Sequence, residues 1–356
     1  MRALLLAALL TLAAAAPAAA APALQSAPQK KQWPIPVVGI GEQNPEMFTS
    51  PYFKALKVKH VRVVTAWDSL RHRWSRQALD SYMHAAHNAG VKVLLGFGHA
   101  RSKKRKVRRR VPSVRVFTKE FLKYKKRYPW QKEWLTWNEA NHCGEPTCHK
   151  ARRVARFFNN IRHNCYGCTV VAADVLDTPT MPKWVRQFRR TARDDKVIWG
   201  LHNYIDANRF RTKGTKALLK AAPKGKIWFT ETGGLVVRRN GSRIAFPGNR
   251  KHQAKATKQV FKLARLSKRI RRVYIYHWMP QRAKLPTWDS ALVDPRGYPR
   301  PAYKVLKRYL RRFALEAALR KERTREEAKP APTPTPTPTP TPGPSPEPSP
   351  APTPVP

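Results

Sequence analysis

Two glutamates stand where carboxylate chemistry is easiest to run. Glu139 follows the apolar stretch Trp134-Leu135-Thr136-Trp137 behind Asn138, and Glu231 follows Ile227-Trp228-Phe229-Thr230. The chain carries 21 Asp and Glu against 71 Lys and Arg, so a carboxylate at the end of an apolar run is a scarce group in a costly place. Near a core it must be paired, hydrogen-bonded or shifted in pKa. Asn138 and Asn141 are candidates to supply hydrogen bonds to Glu139. Two carboxyl groups facing each other suit glycoside hydrolysis, where one protonates the leaving oxygen and the other attacks or activates water. A separation of about 5–5.5 Å goes with retention through a covalent intermediate. Mutual repulsion would keep one of the two protonated near neutral pH, and that one becomes the acid.

The elements that must position them follow a regular order. Eight short apolar runs recur, at Val37–Ile40, His60–Thr65, Val91–Phe97, Trp134–Trp137, Thr169–Ala173, Val197–Leu201, Ile227–Thr230 and Val273–Tyr276. Several are continuous rather than alternating, as expected for parallel strands buried on both faces. Helical patterns lie between them. Ser75 is read as the cap of one that stops at Gly90, and Thr118 precedes another. His149–Asn164 sets Val154, Phe157, Phe158 and Ile161 on one face. Pro182 opens a fourth helix, and Ala217–Ala221, Gln253–Ser267 and Tyr303–Leu310 complete the set. Strand intervals of a little over 30 residues fit one right-handed βα unit each. Eight units predict a single (β/α)8 TIM barrel over residues 34–310. A doubly wound sheet is the alternative, but Gly39-Ile40-Gly41-Glu42 lacks the third glycine of a phosphate-binding turn.

In such a barrel the acting residues sit at the C-terminal ends of the strands. Those ends hold Asp68, His99, Asn138 with Glu139, Asp174, His202-Asn203-Tyr204, Glu231 and His277-Trp278. Asp68 and Asp174 read as loop caps. The glutamates, amides, imidazoles and indoles together describe a carbohydrate-cleaving bowl.

Trp137-Asn138-Glu139 at the fourth strand, with Glu231 at the seventh, resembles the clan A retaining glycoside hydrolases, the 4/7 barrels that include cellulase-like and β-xylosidase-like families. The segment from Leu292 to Tyr303 is also like the approach to their last helix. The resemblance implies Glu139 as general acid/base, Glu231 as nucleophile and Asn138 as a contact to the substrate 2-hydroxyl. It implies Tyr204 as a hydrogen-bond donor to the nucleophile, with His202 beside it, and Arg62 as the buried arginine that keeps the nucleophile ionised. Trp278 would floor the cleavage subsite, and Asn203, His99 and Trp137 join the substrate-binding set. No cofactor or metal is called for, because the chemistry uses carboxyl groups and water.

Composition sets the context. Residues 1–23 have the charge, apolar core and small-residue zone of a secretory signal peptide, so a secreted protein is expected, either free or associated with the cell wall. No later segment is long and apolar enough to span a bilayer. Residues 311–328 read as a helical extension, and residues 329–356 as a disordered Pro/Thr-rich polyproline tail. The four cysteines are expected as local disulfides, Cys143 with Cys148 and Cys165 with Cys168, with a zinc site including His149 as the sharper alternative. A formal charge of +50 favours anionic partners such as an acidic cell-wall polymer. The basic run 101–110 after the third strand is either a solvated loop or a docking patch. The expected protein is a monomeric, secreted, endo-acting glycosidase of a β-linked polysaccharide, without specific nucleic-acid binding. The competing reading is a non-catalytic polyanion- or wall-binding protein on the same scaffold.

Overall fold

Eight parallel strands close on themselves in the order Val37–Gly41, Ile270–Tyr276, Lys226–Thr232, Ile198–His202, Thr169–Leu176, Glu133–Leu135, Lys92–Gly98 and His60–Ala66, the (β/α)8 barrel the spacing predicts. The computed structural model describes residues 33–194, 196–240, 243–280 and 287–328; the expected signal peptide and Pro/Thr tail lie outside them. In chain order the elements are β1 (Val37–Gly41), α1 (Pro51–Leu56), β2 (His60–Ala66), α2 (Arg73–Asn88), β3 (Lys92–Gly98), α3 (Arg105–Arg108) and α4 (Val114–Arg127). Next come β4 (Glu133–Leu135), α5 (Ala151–Asn164), β5 (Thr169–Leu176), α6 (Met181–Arg189), β6 (Ile198–His202), α7 (Tyr204–Asn208), α8 (Lys213–Ala221) and β7 (Lys226–Thr232). A hairpin of β8 (Val237–Asn240) and β9 (Arg243–Phe246) precedes α9 (Arg250–Leu263), β10 (Ile270–Tyr276), β11 (Trp288–Asp289) and α10 (Pro301–Glu327).

Most strand and helix positions agree with the periodicity to within a few residues. Ser75 lies inside the first turn of α2 rather than capping it, and α4 starts at Val114, where the Ser113 hydroxyl accepts the Val116 N–H. β11, β8 and β9 form a separate three-stranded sheet built from the loops after β7 and β10. α10 is one continuous helix, and Phe313 still packs on Phe261 and Tyr309, so the expected extension continues the last barrel helix. Among the described residues no helix is long and apolar enough to cross a membrane.

Two apolar regions hold the strands. Inside the barrel, Leu94, Leu135, Val171, Trp228 and Tyr274 form their own cluster. Outside it, Trp134 stacks on Phe97 at 6.0 Å and meets Phe121 edge-on at 5.0 Å. Such pairs each add about 0.5–1.5 kcal/mol beyond area burial. They fix β3 and β4 against α4, and so fix the position from which Asn138 and Glu139 emerge. The parallel pairing is irregular in three strand pairs: twice in β10/β7, in β5/β6 between Val171 and Asp174, and in β6/β7 between Gly200 and His202. Irregularities of this kind re-aim side chains. Here they flank Asp174 and His202, both of which enter the site described next.

Candidate active site

Glu139 leaves the barrel on a left-handed turn. The Asn138 N–H donates to the Phe97 carbonyl of β3 at 2.7 Å, and the Ala140 N–H donates to the Asp174 carbonyl of β5 at 2.9 Å. Glu139 between them has φ +45°. That region costs a non-glycine residue about 1–3 kcal/mol and persists only where neighbours fix it. Its side chain is 28% exposed at the bowl, whereas Trp137 and Ala140 on either side are fully buried.

Glu231 is held from two sides. Its Oε2 accepts from Arg62 Nη1 at 2.9 Å, and its Oε1 accepts from the Tyr204 hydroxyl at 3.1 Å. Arg62 is 1% exposed, and its second nitrogen donates to Asp174 Oδ2 at 2.6 Å and to Asn138 Oδ1 at 2.5 Å. Burial alone would lower the guanidinium pKa, but Asp174 and Glu231 outweigh it and raise it. Asp174 would be raised by burial, yet Arg62 and His202 bring it below the usual carboxylate range. Its other oxygen accepts from the Thr230 hydroxyl. Gly200 in β6 makes room for this carboxylate, because a Cβ there would stand 1.9 Å from Asp174 Oδ1. Asp174 is therefore the anchor of Arg62 and not a loop cap. The sequence reading missed this because its partner lies 112 residues away.

His202 links the two glutamates. Its Nδ1 lies 3.1 Å from Glu139 Oε1 and 3.9 Å from Glu231 Oε2, and its Nε2 lies 3.1 Å from Asp174 Oδ2. Burial would lower its pKa, but Glu231, Asp174 and the bonds to Asp174 and Glu139 push it up to about 10. The imidazolium in turn reverses one expectation. Burial would raise Glu139, but the His202 bond and charge, with His142 and Arg62, hold it below the usual carboxylate range. Cations at close range therefore win over carboxylate repulsion at Glu139.

Several expected substrate contacts serve other ends. His202 is fully buried, so it positions carboxylates and meets no sugar. Asn203 is buried with both amide ends used, accepting from Thr232 at 2.6 Å and donating to Thr215 at 3.4 Å. Asn141 exchanges hydrogen bonds with the Leu176 backbone of β5 rather than with Glu139. Trp137 is a core indole stacked on Phe157, with its N–H on Glu145 at 3.0 Å. Trp278 is 1% exposed and packs edge-on against Phe53 and Tyr303 beneath α10, so it floors no subsite. The half-buried aromatic at the end of β10 is Tyr276, stacked on His277. Burial and the nearby Glu231 raise its phenol. His277 itself is buried and lowered to about 4 by desolvation, a structural imidazole. His99 is partly exposed and bonds Glu145 at 2.6 Å. Asn138 is half-buried, with its oxygen on Arg62 and no partner for its amide nitrogen among the described residues.

Two carboxylates escaped the sequence reading. Glu145 lies in the loop closed by the Cys143–Cys148 disulfide, and its only signal was a polar loop after the fourth strand. Glu42 after β1 accepts from the backbones of Trp278 and Met279 at 2.9 and 3.0 Å, tying β1 to the loop after β10. The second disulfide joins Cys165 to Cys168, so both pairs are local. Cystine sulfurs are not thiolates, so Cys143, Cys148 and nearby His149 do not form a zinc site in this state. Glu139, His202 and Glu231 also bring three ligand-type atoms within 4.8 Å. There the imidazolium has no lone pair to give and Arg62 already neutralises Glu231, so a metal is disfavoured.

No protein-family model and no curated protein sequence matches this chain. Solved structures do resemble it. The chain is similar to a family 39 glycoside hydrolase from the gut symbiont Bacteroides cellulosilyticus WH2, at TM-score 0.54 and 12% identity, over 78% of this chain and 64% of that one. It is similar to a GH5_18 protein from Streptomyces cattleya in complex with GlcNAc, at TM-score 0.57 and 14% identity, covering 85% and 83%. It is also similar to native xylanase 10B from Thermotoga maritima, at TM-score 0.56 and 13% identity, covering 78% and 96%. What is shared is the barrel fold. The chain spans less than two thirds of the family 39 protein's length.

Proposed function

We propose that this protein is a glycoside hydrolase cleaving a β-linked polysaccharide with net retention. Glu231 is the nucleophile and Glu139 the general acid and base. The observation that carries this reading is the convergence of the two carboxylates. One oxygen from each lies within 4.8 Å of the other and of a His202 nitrogen. Retaining enzymes place their carboxyl groups about 5–5.5 Å apart, and inverting ones about 6.5–9.5 Å. The barrel shared with the solved glycoside hydrolases supports the same reading.

In the first step Glu231 attacks the anomeric carbon while the Glu139 carboxyl gives its proton to the departing glycosidic oxygen. The carbon–oxygen bond breaks and a glycosyl ester forms on Glu231. In the second step the Glu139 carboxylate takes a proton from water, whose oxygen attacks the same carbon and frees Glu231. Arg62 and Tyr204 hold Glu231 in place. The Asn138 amide nitrogen is free to meet a sugar hydroxyl. Glu139 becomes an effective acid once bound sugar strips water from its exposed edge, because desolvation raises a carboxyl pKa.

A pure polyanion binder would have no use for a strained glutamate beside an arginine-clamped one. The test is turnover on a panel of β-glucans, mannans and xylans, acidic polymers included. Glu231→Ala should lower kcat at least about 10⁴-fold on every substrate. Glu139→Ala should cost about 10²–10⁴-fold on polysaccharide and least on activated aryl glycosides, whose leaving group needs no proton. Unchanged hydrolysis in both variants would sink the reading.

A further inference from the structure

Tyr204 faces two ways. Its hydroxyl bonds Glu231 at 3.1 Å, and its ring lines a cavity of about 270 Å³ between α7 and the β8–β9–β11 sheet. Arg209, Arg211, Arg238, Phe246 and Trp288 line the same cavity. The Trp288 indole meets the Tyr204 ring edge-on at 4.6 Å, and its N–H is fixed on Ser290 at 2.9 Å. The Arg238 guanidinium stands 5.8 Å from the Trp288 ring centre. All three arginines are exposed, and no acidic side chain among the described residues pairs with them. An aromatic wall with three uncompensated guanidinium groups, one residue away from the proposed nucleophile, is chemically lopsided. Indole suits the apolar face of a sugar, and guanidinium suits a carboxylate or sulfate in bidentate geometry.

We infer that this cavity is a subsite for an anionic sugar unit, bearing a carboxylate or a sulfate, of the polysaccharide being cleaved. The inference rests on the glycosidase reading and narrows its substrate class. The opposite rim has the same character. The Arg101 guanidinium lies 4.1 Å over the 55%-exposed Trp74 ring, and α3 adds exposed Arg105, Lys106 and Arg108. Both features follow the C-terminal ends of strands, on the face that holds Glu139 and Glu231. A chain of acidic sugars crossing the bowl would meet cations and an indole on each side of the scissile bond.

The test compares an acidic β-linked oligosaccharide with its carboxyl-reduced counterpart, and a sulfated oligosaccharide with its desulfated form. The wild type and Arg209→Gln/Arg211→Gln/Arg238→Gln are assayed alongside a small neutral aryl glycoside. The wild type should prefer at least one anionic form about 10-fold or more in kcat/KM, and the favoured pair names the anion. The triple variant should lose that preference and keep aryl glycoside turnover. Glu231-dependent hydrolysis without anion preference, or a preference that survives the triple variant, overturns the subsite and leaves the glycosidase reading intact. Should no glycan be hydrolysed, calorimetric binding decides. Anion-selective binding that the triple variant abolishes supports the subsite, and its absence overturns it. Displacement of the bound oligosaccharide by single-stranded DNA of equal charge would reveal a plain polyanion field and also overturn it.

Discussion

Two arginines project into the barrel from opposite ends, and their partners differ. Near the N-terminal end, Arg272 pairs with Glu133, bonds the Tyr274 hydroxyl at 2.9 Å and lies 3.8 Å over Trp228. The arrangement is one cation to one carboxylate, shut in by aromatic rings. At the C-terminal end, Arg62 and protonated His202 face three carboxylates, Asp174, Glu139 and Glu231. The carboxylates outnumber the two buried cations by one, and the excess lies where the bowl opens, beside exposed His142: Glu139 is 28% and Glu231 14% exposed. A closed pair serves the fold. A cluster with a spare negative charge is suited to a transition state that develops positive charge on a sugar ring. In a chain of formal charge +50 that local excess has to be built, and Gly200 and Asp174 are where it is built.

The comparison can be broken by exchanging each arginine for methionine. Arg62→Met and Arg272→Met each strand a carboxylate, so each should lower stability by roughly 3–5 kcal/mol, read by urea unfolding. Only Arg62→Met should also cut kcat, by about 10²-fold or more, because Glu231 loses the charged one of its two donors. Arg272→Met should leave kcat/KM within about twofold of the wild type, at temperatures where it stays folded. Equal loss of activity in both would mean that the two clusters do not differ in kind.

A smaller effect sharpens the account of His202. Its pKa is raised to about 10, so its contribution to stability is complete below its unfolded value of about 6.5 and is lost as pH rises through about 10. The wild-type melting temperature should fall across that window relative to His202→Gln. The same variant removes the cation that lowers Glu139, so Glu139 should stay protonated to higher pH. The alkaline limb of the kcat/KM profile should move upward. A downward move would contradict the role assigned to the imidazolium.

Much of this was legible in the residues. Eight apolar runs at regular intervals specify the barrel, because parallel strands buried on both faces leave a pattern that loops cannot imitate. Glu139 and Glu231 were visible because acids are scarce here and both end apolar runs. Trp137 and Trp278 were misread, since an indole at a strand end looks the same whether it faces sugar or the helix layer. Asp174 was misread for a related reason: a buried aspartate is tolerable only beside its cation, and Arg62 is remote in sequence. The lowered state of Glu139 depends on an imidazole 3.1 Å away, a distance no spacing reveals.

The most direct test of the central claim is the anomeric form of the first sugar released. Proton NMR during early hydrolysis of the best substrate from the polysaccharide panel reports it before mutarotation. Two carboxylates this close require the β-anomer to appear first, by double displacement through Glu231. Initial release of the α-anomer would mean single displacement by water and would contradict the account.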